Sequence, residues 1–297
     1  MLLAPELNDW ITAQVGTIEQ ATQLAGSTST TLYRIETEQA RYVLRLYDNQ
    51  EWFATEPDLC EHEAHALMVA QATDVLTPDL IAYETDANVA GLAVLLMSHL
   101  DGDVWLTPTD MSDWLQQSAD ALAKIHQLTV PDFQWQHFRY VRQNKLRVPL
   151  WTDYPQVWQS LIDLIQQPEP DTTQHFIHRD YHQTNFLWQN GILTGVVDWI
   201  NACIGVAHVD VGHMRVNLAQ LYGVETADAF LHAYQRANPA YEYHPYWDAM
   251  TLIDATLDND QAPSIYRPWL DFGITNITDE AVQECTEQLA QAIASQI

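Results

Sequence analysis

Before residue 100, the hydrophobic and polar positions mostly follow a strand pattern. Two β-branched and aromatic runs, "TTLYRIE" and "ARYVLRLY", flank the polar stretch "TEQ", which is typical of a β-hairpin. Further along, "GLAVLLMSHL" is almost entirely apolar and predicts a buried strand that ends at the turn "DGD". Between them, "PDLCEHEAHALMVAQA" places Leu59, Leu67 and Ala70 at helical spacing after a proline, so one helix is expected there.

After residue 100, the apolar positions recur with the helical period. The stretches "MSDWLQQSADALAKIHQL", "YPQVWQSLIDLIQQ" and "TDEAVQECTEQLAQAIASQI" each predict an amphipathic helix. Ser112 is expected to cap the first of these helices. The last stretch opens with Thr278 and two acids, which suit the start of a helix. A β-rich front and an α-rich back predict an α+β fold of two lobes, residues 1–99 and residues 100–297, with a cleft between them.

Composition narrows the class of partner. Of 297 residues, 47% are hydrophobic, which predicts a folded core. The balance of 12 basic against 40 acidic residues gives a net charge of −28, which argues against nucleic acid or an anionic membrane as the main partner and suits a cationic ligand. Three scattered cysteines with no zinc-site spacing indicate a reducing compartment.

The sequence contains no signal for export or membrane insertion. The start, "MLLAPELNDW", lacks the basic region of a signal peptide, and the longest apolar run, "VAGLAVLLM", is too short to span a bilayer. We therefore expect a soluble cytoplasmic protein. No segment predicts an oligomeric state.

Polar residues are concentrated in "FIHRDYHQTNFLWQNGILTGVVDWI", residues 176–200. Asn190-Gly191 between apolar runs predicts a hairpin with a type I′ turn. Counting outward from a two-residue loop, Asn185 is expected to pair with Val196, and Asp198 follows on the same face of the strand. Such diagonal neighbours lie roughly 7–8 Å apart at Cα, close enough to hold one cation between them.

This arrangement predicts a metal site next to a catalytic carboxylate. Asn185 and Asp198 offer hard oxygen ligands that suit Mg²⁺ held together with phosphates. Asp180 lies in the loop that leads into the hairpin, and as a free carboxylate it is expected to accept a hydroxyl proton.

The stretch "HRDYHQTN" matches the kinase catalytic-loop pattern H-R-D-x-x-x-x-N, in which the Asp orients the attacking hydroxyl and the Asn holds metal. The Trp after Asp198, the second histidine at His182, and "VDVGH" with Asp210 resemble the aminoglycoside phosphotransferase and choline kinase-like family, not protein kinases. No A-P-E segment follows Asp198, which argues against a protein substrate. The resemblance covers residues 20 to 225 and implies a protein-kinase-like fold with a small β-rich N-lobe and a larger helical C-lobe.

The resemblance also implies a nucleotide site, with ATP as phosphate donor, GTP as an alternative, and Mg²⁺. A turn with a single glycine stands where phosphates would be covered, and Arg45 replaces the usual lysine and would bind phosphate as a bidentate fork. Glu63 would pair with Arg45, with Glu61 as the alternative. The predicted nucleotide-binding residues are Gly26, Ser27, Thr28, Ser29, Arg45, Glu63, Ser98, His99 and Leu100, the last three through hinge backbone that meets the adenine.

The resemblance implies that the acceptor is a hydroxyl group of a small molecule that binds against the helical lobe. One candidate for this molecule is cationic and aminoglycoside-like. In "PYWDAMTLIDATLDND", Asp248, Asp254 and Asp258 fall on one stripe of a helix. Like charges at this spacing repel one another by a few tenths of a kcal/mol, which a cation would relieve.

Three other classes of function use parts of the same residue set. A nucleotide-binding regulator without turnover would explain Arg45 in place of lysine. A non-haem iron oxygenase would use His178 and Asp180 with His208 or His213 as a facial triad. A two-carboxylate hydrolase would use Asp180 and Asp198 and would give Asn185 and Arg45 no role.

Overall fold

The strand-like runs of the front half form one antiparallel sheet. The protein is described here by a computed structural model that covers residues 3–26, 29–130, 132–141, 145–257 and 261–297, without the side chains of residues 87–88. Its sheet has the strand order β1-β2-β3-β5-β4, with strands β1 (Ile18–Gln23), β2 (Thr31–Thr37), β3 (Arg41–Leu46), β4 (Leu80–Val89) and β5 (Leu92–Ser98). The predicted hairpin is β2–β3, and Leu32 pairs with Arg45 in it.

The two faces of this sheet pack against different partners, because side chains alternate along a strand. On one face, Leu44 and Leu96 pack with Ile11 of the first helix, α1 (Pro5–Val15). On the other face, Leu95 joins the main core, which also contains Leu67 of the predicted helix. The sheet is accompanied by α1, by α2 (Gln50–Thr55) and by α3 (Leu59–Ala70), the predicted helix. Arg45, adjacent to Leu44, therefore points to the side of α3 and the helical part.

The back half is helical with two short two-stranded sheets. Its helices are α4 (Met111–His126), α5 (Pro155–Ile165), α6 (Ala207–Tyr222), α7 (Val224–Ala237), α8 (Pro245–Thr256), α9 (Arg267–Asp271) and α10 (Asp279–Ala294). Its strands are β6 (Gln174–Ile177) with β9 (Cys203–Val206), and β7 (Phe186–Gln189) with β8 (Ile192–Val196). Helix α6 packs against α7, α8 and α10 and forms the centre of this part. None of the helices in the described ranges combines the length and apolar composition that a membrane crossing requires.

The predicted cap Ser112 is wrong, and the structure shows other side-chain caps, at α10 and at α4. Thr278 caps α10, since its hydroxyl accepts the backbone N–H of Ala281 at 3.2 Å. Helix α4 is capped by Asp110, whose carboxylate accepts the N–H of Asp113 at 3.0 Å, and Ser112 lies inside the first turn. A carboxylate is a favourable cap here because it also complements the positive end of the helix dipole.

The segment that links β5 to α4 is packed against the β7–β8 hairpin. Backbone hydrogen bonds of 2.9 and 3.0 Å join Asp103 to Trp188. Gly102 adopts φ +134°, and a Cβ at this position would lie 2.5 Å from the hydroxyl of Thr194, so no side chain fits. The sheet thus ends at Ser98 beside the hairpin, and the division into lobes at residues 99 and 100 stays a prediction.

Candidate active site

The two predicted metal ligands, Asn185 and Asp198, flank the hairpin β7–β8. Asn190 and Gly191 have φ values of 52° and 79°, both positive, as a type I′ turn requires. The innermost pair, Gln189 with Ile192, is the one that a two-residue loop predicts. The turn is therefore confirmed.

Further from the turn the register differs from the prediction. The expected pairing of Asn185 with Val196 is wrong, since Phe186 takes that place. The reason is a bulge: β8 contains one extra residue, Thr194, whose hydroxyl donates to two backbone carbonyls at 2.7 and 3.1 Å. Asn185 lies one step further out, where its carbonyl accepts the N–H of Val197 at 3.0 Å.

Asp198 follows the hairpin in a strained backbone conformation. Its φ of 69° and ψ of 60° are left-handed, which costs a non-glycine residue on the order of 1–3 kcal/mol. The next residue, Trp199, is fully buried, and its indole N–H donates to the carbonyl of Val196 at 3.0 Å. This anchor holds Asp198 in place with its side chain 31% exposed.

The catalytic loop between β6 and β7 is held by a buried carboxylate of α6. Asp210 accepts the backbone N–H groups of His178 and Arg179 at 2.8 and 2.6 Å and contacts His126 Nε2 at 3.0 Å. Burial alone would raise the pKa of Asp210, but the contacts with His126 and His178 together outweigh burial, so the pKa lies below the usual value. His178 is also bonded, through Nε2, to the carbonyl of Val197 at 3.0 Å, so it braces the loop.

Asp180 lies at the mouth of this loop, and it is not the free carboxylate that the sequence predicts. Its Oδ1 atom lies 3.4 Å from Nε2 of His182 and 3.2 Å from Nε2 of His213. Asn185 Nδ2 donates to the backbone carbonyl of Asp180 at 2.9 Å. Burial opposes ionisation of Asp180, but the two histidines outweigh it and hold the pKa well below its usual range.

His213 contacts Asp180, but the sequence offers it only as a ligand of the iron triad and not as part of the phosphotransferase site. It is three residues beyond Asp210 in "VDVGH", which places both side chains on one face of a helix. Because Asp210 binds the loop, its helical neighbour His213 also reaches the loop.

Arg45 joins the sheet to the hairpin through a chain of charges. Its Nε lies 3.0 Å from Glu63 of α3, and its Nη2 donates to Asp198 Oδ1 at 2.8 Å. Of the two glutamates considered, Glu63 therefore makes the ion pair; it is 1% exposed and accepts the hydroxyl of Tyr47 at 2.5 Å. Burial raises the pKa of Glu63 against the opposing effect of Arg45.

A cavity of about 390 Å³ brings most of the predicted residues together. Those that line it are Gly26, Ser29, Arg45, Ser98, His99, Leu100, Asp180, Asn185 and Asp198. Glu63 lies behind Arg45, and Ser27 and Thr28 lie outside the described residues.

The cavity also contains residues that the sequence did not indicate. Thr184, Leu187 and Val197 line its floor, and Tyr266 and Phe272 reach it from the C-terminal segment. A Cβ on Gly26 would lie 2.7 Å from the ring of Phe272, so the glycine turn packs directly on that ring. No local pattern marks a contact between segments so far apart in the chain.

The predicted hinge backbone has one amide without a hydrogen-bond partner among the described residues. The N–H of Ser98 donates to the backbone carbonyl of Asp79 at 2.8 Å, and the N–H of His99 donates to the backbone carbonyl of Arg41 at 3.2 Å. The N–H of Leu100, which lines the cavity, has no partner among the residues that the structure describes.

The predicted acidic stripe on α8 is not one exposed surface. Asp248 is 4% exposed and accepts a 2.7 Å bond from Arg215, because its face of α8 packs against α6. Asp254 is half-buried and accepts the backbone N–H of Val141 at 3.1 Å, and burial raises its pKa to about 6. Asp258 lies outside the described residues.

The iron triad that the sequence allowed is not formed by His178 or His208. His178 is bonded to Val197, and Nε2 of His208 lies 2.8 Å from the carbonyl oxygen of Glu242. Only His213 of that set meets Asp180.

The comparisons with known proteins show the family and the fold of the chain. Residues 20–252 match the model of the phosphotransferase enzyme family, and the chain belongs to that family. A Ralstonia eutropha JMP134 protein, provisionally assigned as an aminoglycoside phosphotransferase, is 17% identical with a TM-score of 0.68 over 98% of both chains. The aminoglycoside phosphotransferase APH(4)-Ia, in a ternary complex with ADP and hygromycin B, is 15% identical with a TM-score of 0.63, also over 98% of both. APH(2")-IIa, in a ternary complex with streptomycin and ATP, is 16% identical with a TM-score of 0.59 over 86% of this chain and 88% of that one. No curated protein matches the chain in sequence.

The fold and the family together define the class of enzyme. The fold is the two-lobed protein-kinase-like fold of these phosphotransferases. The chain is a small-molecule kinase, a phosphotransferase with an alcohol group as acceptor.

Proposed function

We propose that the protein transfers the γ-phosphoryl group of ATP to a hydroxyl of a small cationic molecule, aminoglycoside-like in its chemistry. The observation that carries this proposal is the convergence of Asp180, Asn185, Asp198 and Arg45 on one cavity that also contains the hinge amide of Leu100. The neighbours that share this fold include complexes with ATP and streptomycin, and with ADP and hygromycin B, which supports the choice of donor and acceptor class.

In this proposal the nucleotide lies across the cavity from hinge to hairpin. The adenine meets the backbone of Ser98, His99 and Leu100, with the N–H of Leu100 as donor. The phosphates meet the Gly26 turn and the guanidinium of Arg45. The ion pairs with Glu63 and Asp198 fix the guanidinium of Arg45 at the place in the cavity where the phosphates would lie. The lobe boundary at residues 99 and 100 follows from this placement of the adenine.

The donor set fits Mg²⁺. Asn185 uses its amide N–H on Asp180, which leaves the Oδ1 oxygen to act as a ligand. Asp198 uses Oδ1 on Arg45, and Oδ2 has no partner among the described residues. Both ligands are hard oxygens, which Mg²⁺ prefers. Bound there, Mg²⁺ would neutralise phosphate charge and orient the transferred group.

Asp180 then positions the acceptor. The acceptor oxygen forms a bond to the γ-phosphorus while the bond between that phosphorus and the β–γ bridging oxygen breaks, and ADP leaves with that oxygen. The hydroxyl proton passes to the carboxylate of Asp180. A carboxylate with a low pKa is a weak base, which suits a loose transition state in which orientation matters more than early proton removal.

The acceptor is proposed to enter on the side of Arg179 and His213. These two residues and Asp254 line a second cavity of about 160 Å³ that adjoins the catalytic loop. Asp254 is the member of the predicted acidic stripe that faces this cavity. The chain has a net charge of −28, and the electrostatic field of such a protein attracts a cationic acceptor.

The test is product formation with matched acceptors. We expect Mg²⁺ and ATP to give a monophosphorylated product and stoichiometric ADP with aminoglycosides, and less product with neutral sugars that carry comparable hydroxyls. Mass spectrometry of the acceptor checks this, with GTP as the alternative donor. Nucleotide binding without any phosphorylated acceptor would contradict turnover and would favour the regulator.

A further inference from the structure

The catalytic carboxylate faces two imidazoles that belong to different elements. His182 comes from the loop itself and His213 from α6. Nε2 of each lies 3.4 and 3.2 Å, respectively, from Asp180 Oδ1. One ligand atom from each of the three residues lies within 4.8 Å of the other two.

These separations fit a transition-metal site. Ligands at about 2.0–2.1 Å from a tetrahedral Zn²⁺ are about 3.3 Å apart, and the two nitrogen–oxygen distances at Asp180 are 3.2 and 3.4 Å. Two imidazoles and one carboxylate are typical ligands of Zn²⁺, Co²⁺ and Ni²⁺, whereas Mg²⁺ prefers oxygen alone. The set therefore differs in metal preference from Asn185 and Asp198.

Neighbouring side chains fix the orientation of the His182 imidazole ring. Its Nδ1 lies 2.9 Å from the hydroxyl of Thr184, the kind of outer contact that fixes a ligand ring. Asn185 Nδ2 lies 3.3 Å from Nε2 of His182. His182 is buried, but the side chain of His213 is 25% exposed and leaves an entry path.

We propose that Asp180, His182 and His213 form an inhibitory binding site for a divalent transition metal of the Zn²⁺ class, separate from the Mg²⁺ site. A metal on Oδ1 of Asp180 occupies the oxygen that the acceptor hydroxyl needs. The inhibitory part of this inference rests on the proposed function, whereas metal binding does not.

Binding is tested on the whole chain with Co²⁺ as a spectroscopic probe and Zn²⁺ as competitor, without nucleotide. The variant is His213→Gln, and the control is His232→Gln, an exposed histidine of α7 outside the cluster. We expect wild type and His232→Gln to bind one Co²⁺ that Zn²⁺ displaces and excess Mg²⁺ does not. His213→Gln should bind Co²⁺ at least about tenfold more weakly than wild type. Losing a residue that only supports a metal ligand already weakens binding by about this factor, and His213 is proposed as a direct ligand. Equal affinity in all three proteins, or no binding by wild type, would overturn the site.

Inhibition is tested separately, with each protein compared to its own rate without Zn²⁺. Zn²⁺ should inhibit wild type and His232→Gln reversibly on chelation, and His213→Gln should need at least about tenfold more Zn²⁺. Metal binding with full activity would overturn the inhibitory role. If no acceptor is phosphorylated at all, the proposed function fails while the Co²⁺ titration still decides the metal site.

Discussion

Replacing Asp180 with asparagine is expected to lower kcat by about 10²–10⁴-fold, the usual contribution of a positioned acid–base group. The Asp180→Asn variant keeps the shape of the side chain but loses the charge that accepts the hydroxyl proton. The hinge, Arg45 and Asp198 are untouched, so the affinity for Mg²⁺ and ATP should change little. Steady-state kinetics and calorimetric titration with nucleotide measure the two effects.

The matched control for this prediction is Asp163→Asn. Asp163 is an exposed acid of α5 that lines neither cavity, and its change should leave kcat within a factor of about two. A kcat for Asp180→Asn close to that of the control would remove Asp180 from the chemistry.

The second large effect is on stability. Asp210→Ala is expected to reduce the free energy of unfolding by about 3–5 kcal/mol, the cost of removing one partner from a buried charged network. The carboxylate is fully buried and accepts two backbone N–H groups of the catalytic loop as well as contacting His126. Each donor left without an acceptor costs about 1–3 kcal/mol.

Urea denaturation checks this prediction, with Asp210→Asn beside it. The asparagine keeps one acceptor oxygen for the loop and should lose less stability than the alanine. The exposed Asp163→Ala should lie within about 0.5 kcal/mol of wild type. A loss below about 1 kcal/mol for Asp210→Ala would contradict the role of this carboxylate as the support of the loop.

The sequence predicts those features that depend on neighbours in the chain. The strand pattern of β2 and β3 predicts the β2–β3 hairpin. In a different hairpin, β7–β8, Asn190-Gly191 predicts the turn, because a turn type follows from the two residues that adopt positive φ. The loop motif located Asp180 and Asn185 because a kinase loop keeps its residues at fixed spacing.

Contacts between distant segments could not be predicted in the same way. The bulge at Thr194 shifts the hairpin by one residue, and it is fixed in part by the carbonyl of Asp101 in another segment. The pairing of Asp180 with His213 arises from the docking of α6, and the packing of Phe272 on Gly26 arises from the C-terminal segment. Helical spacing placed Asp248 on a stripe with Asp254 but could not show that α6 would cover that face.

The central claim is that a nucleotide binds this cavity through a metal held by Asp198. The most direct test is thermal and urea stability of wild type, Asp198→Asn and Asp163→Asn with ATP or GTP, each with and without Mg²⁺. Asparagine tolerates the left-handed backbone of Asp198 and removes only the charge. At 100 times its dissociation constant, Mg²⁺ with nucleotide should stabilise wild type and Asp163→Asn by about 2.7 kcal/mol. A tenfold loss of affinity in Asp198→Asn would remove about 1.4 kcal/mol of that stabilisation and most of its dependence on Mg²⁺. No stabilisation of wild type by either nucleotide, or equal stabilisation of all three proteins, would contradict the claim.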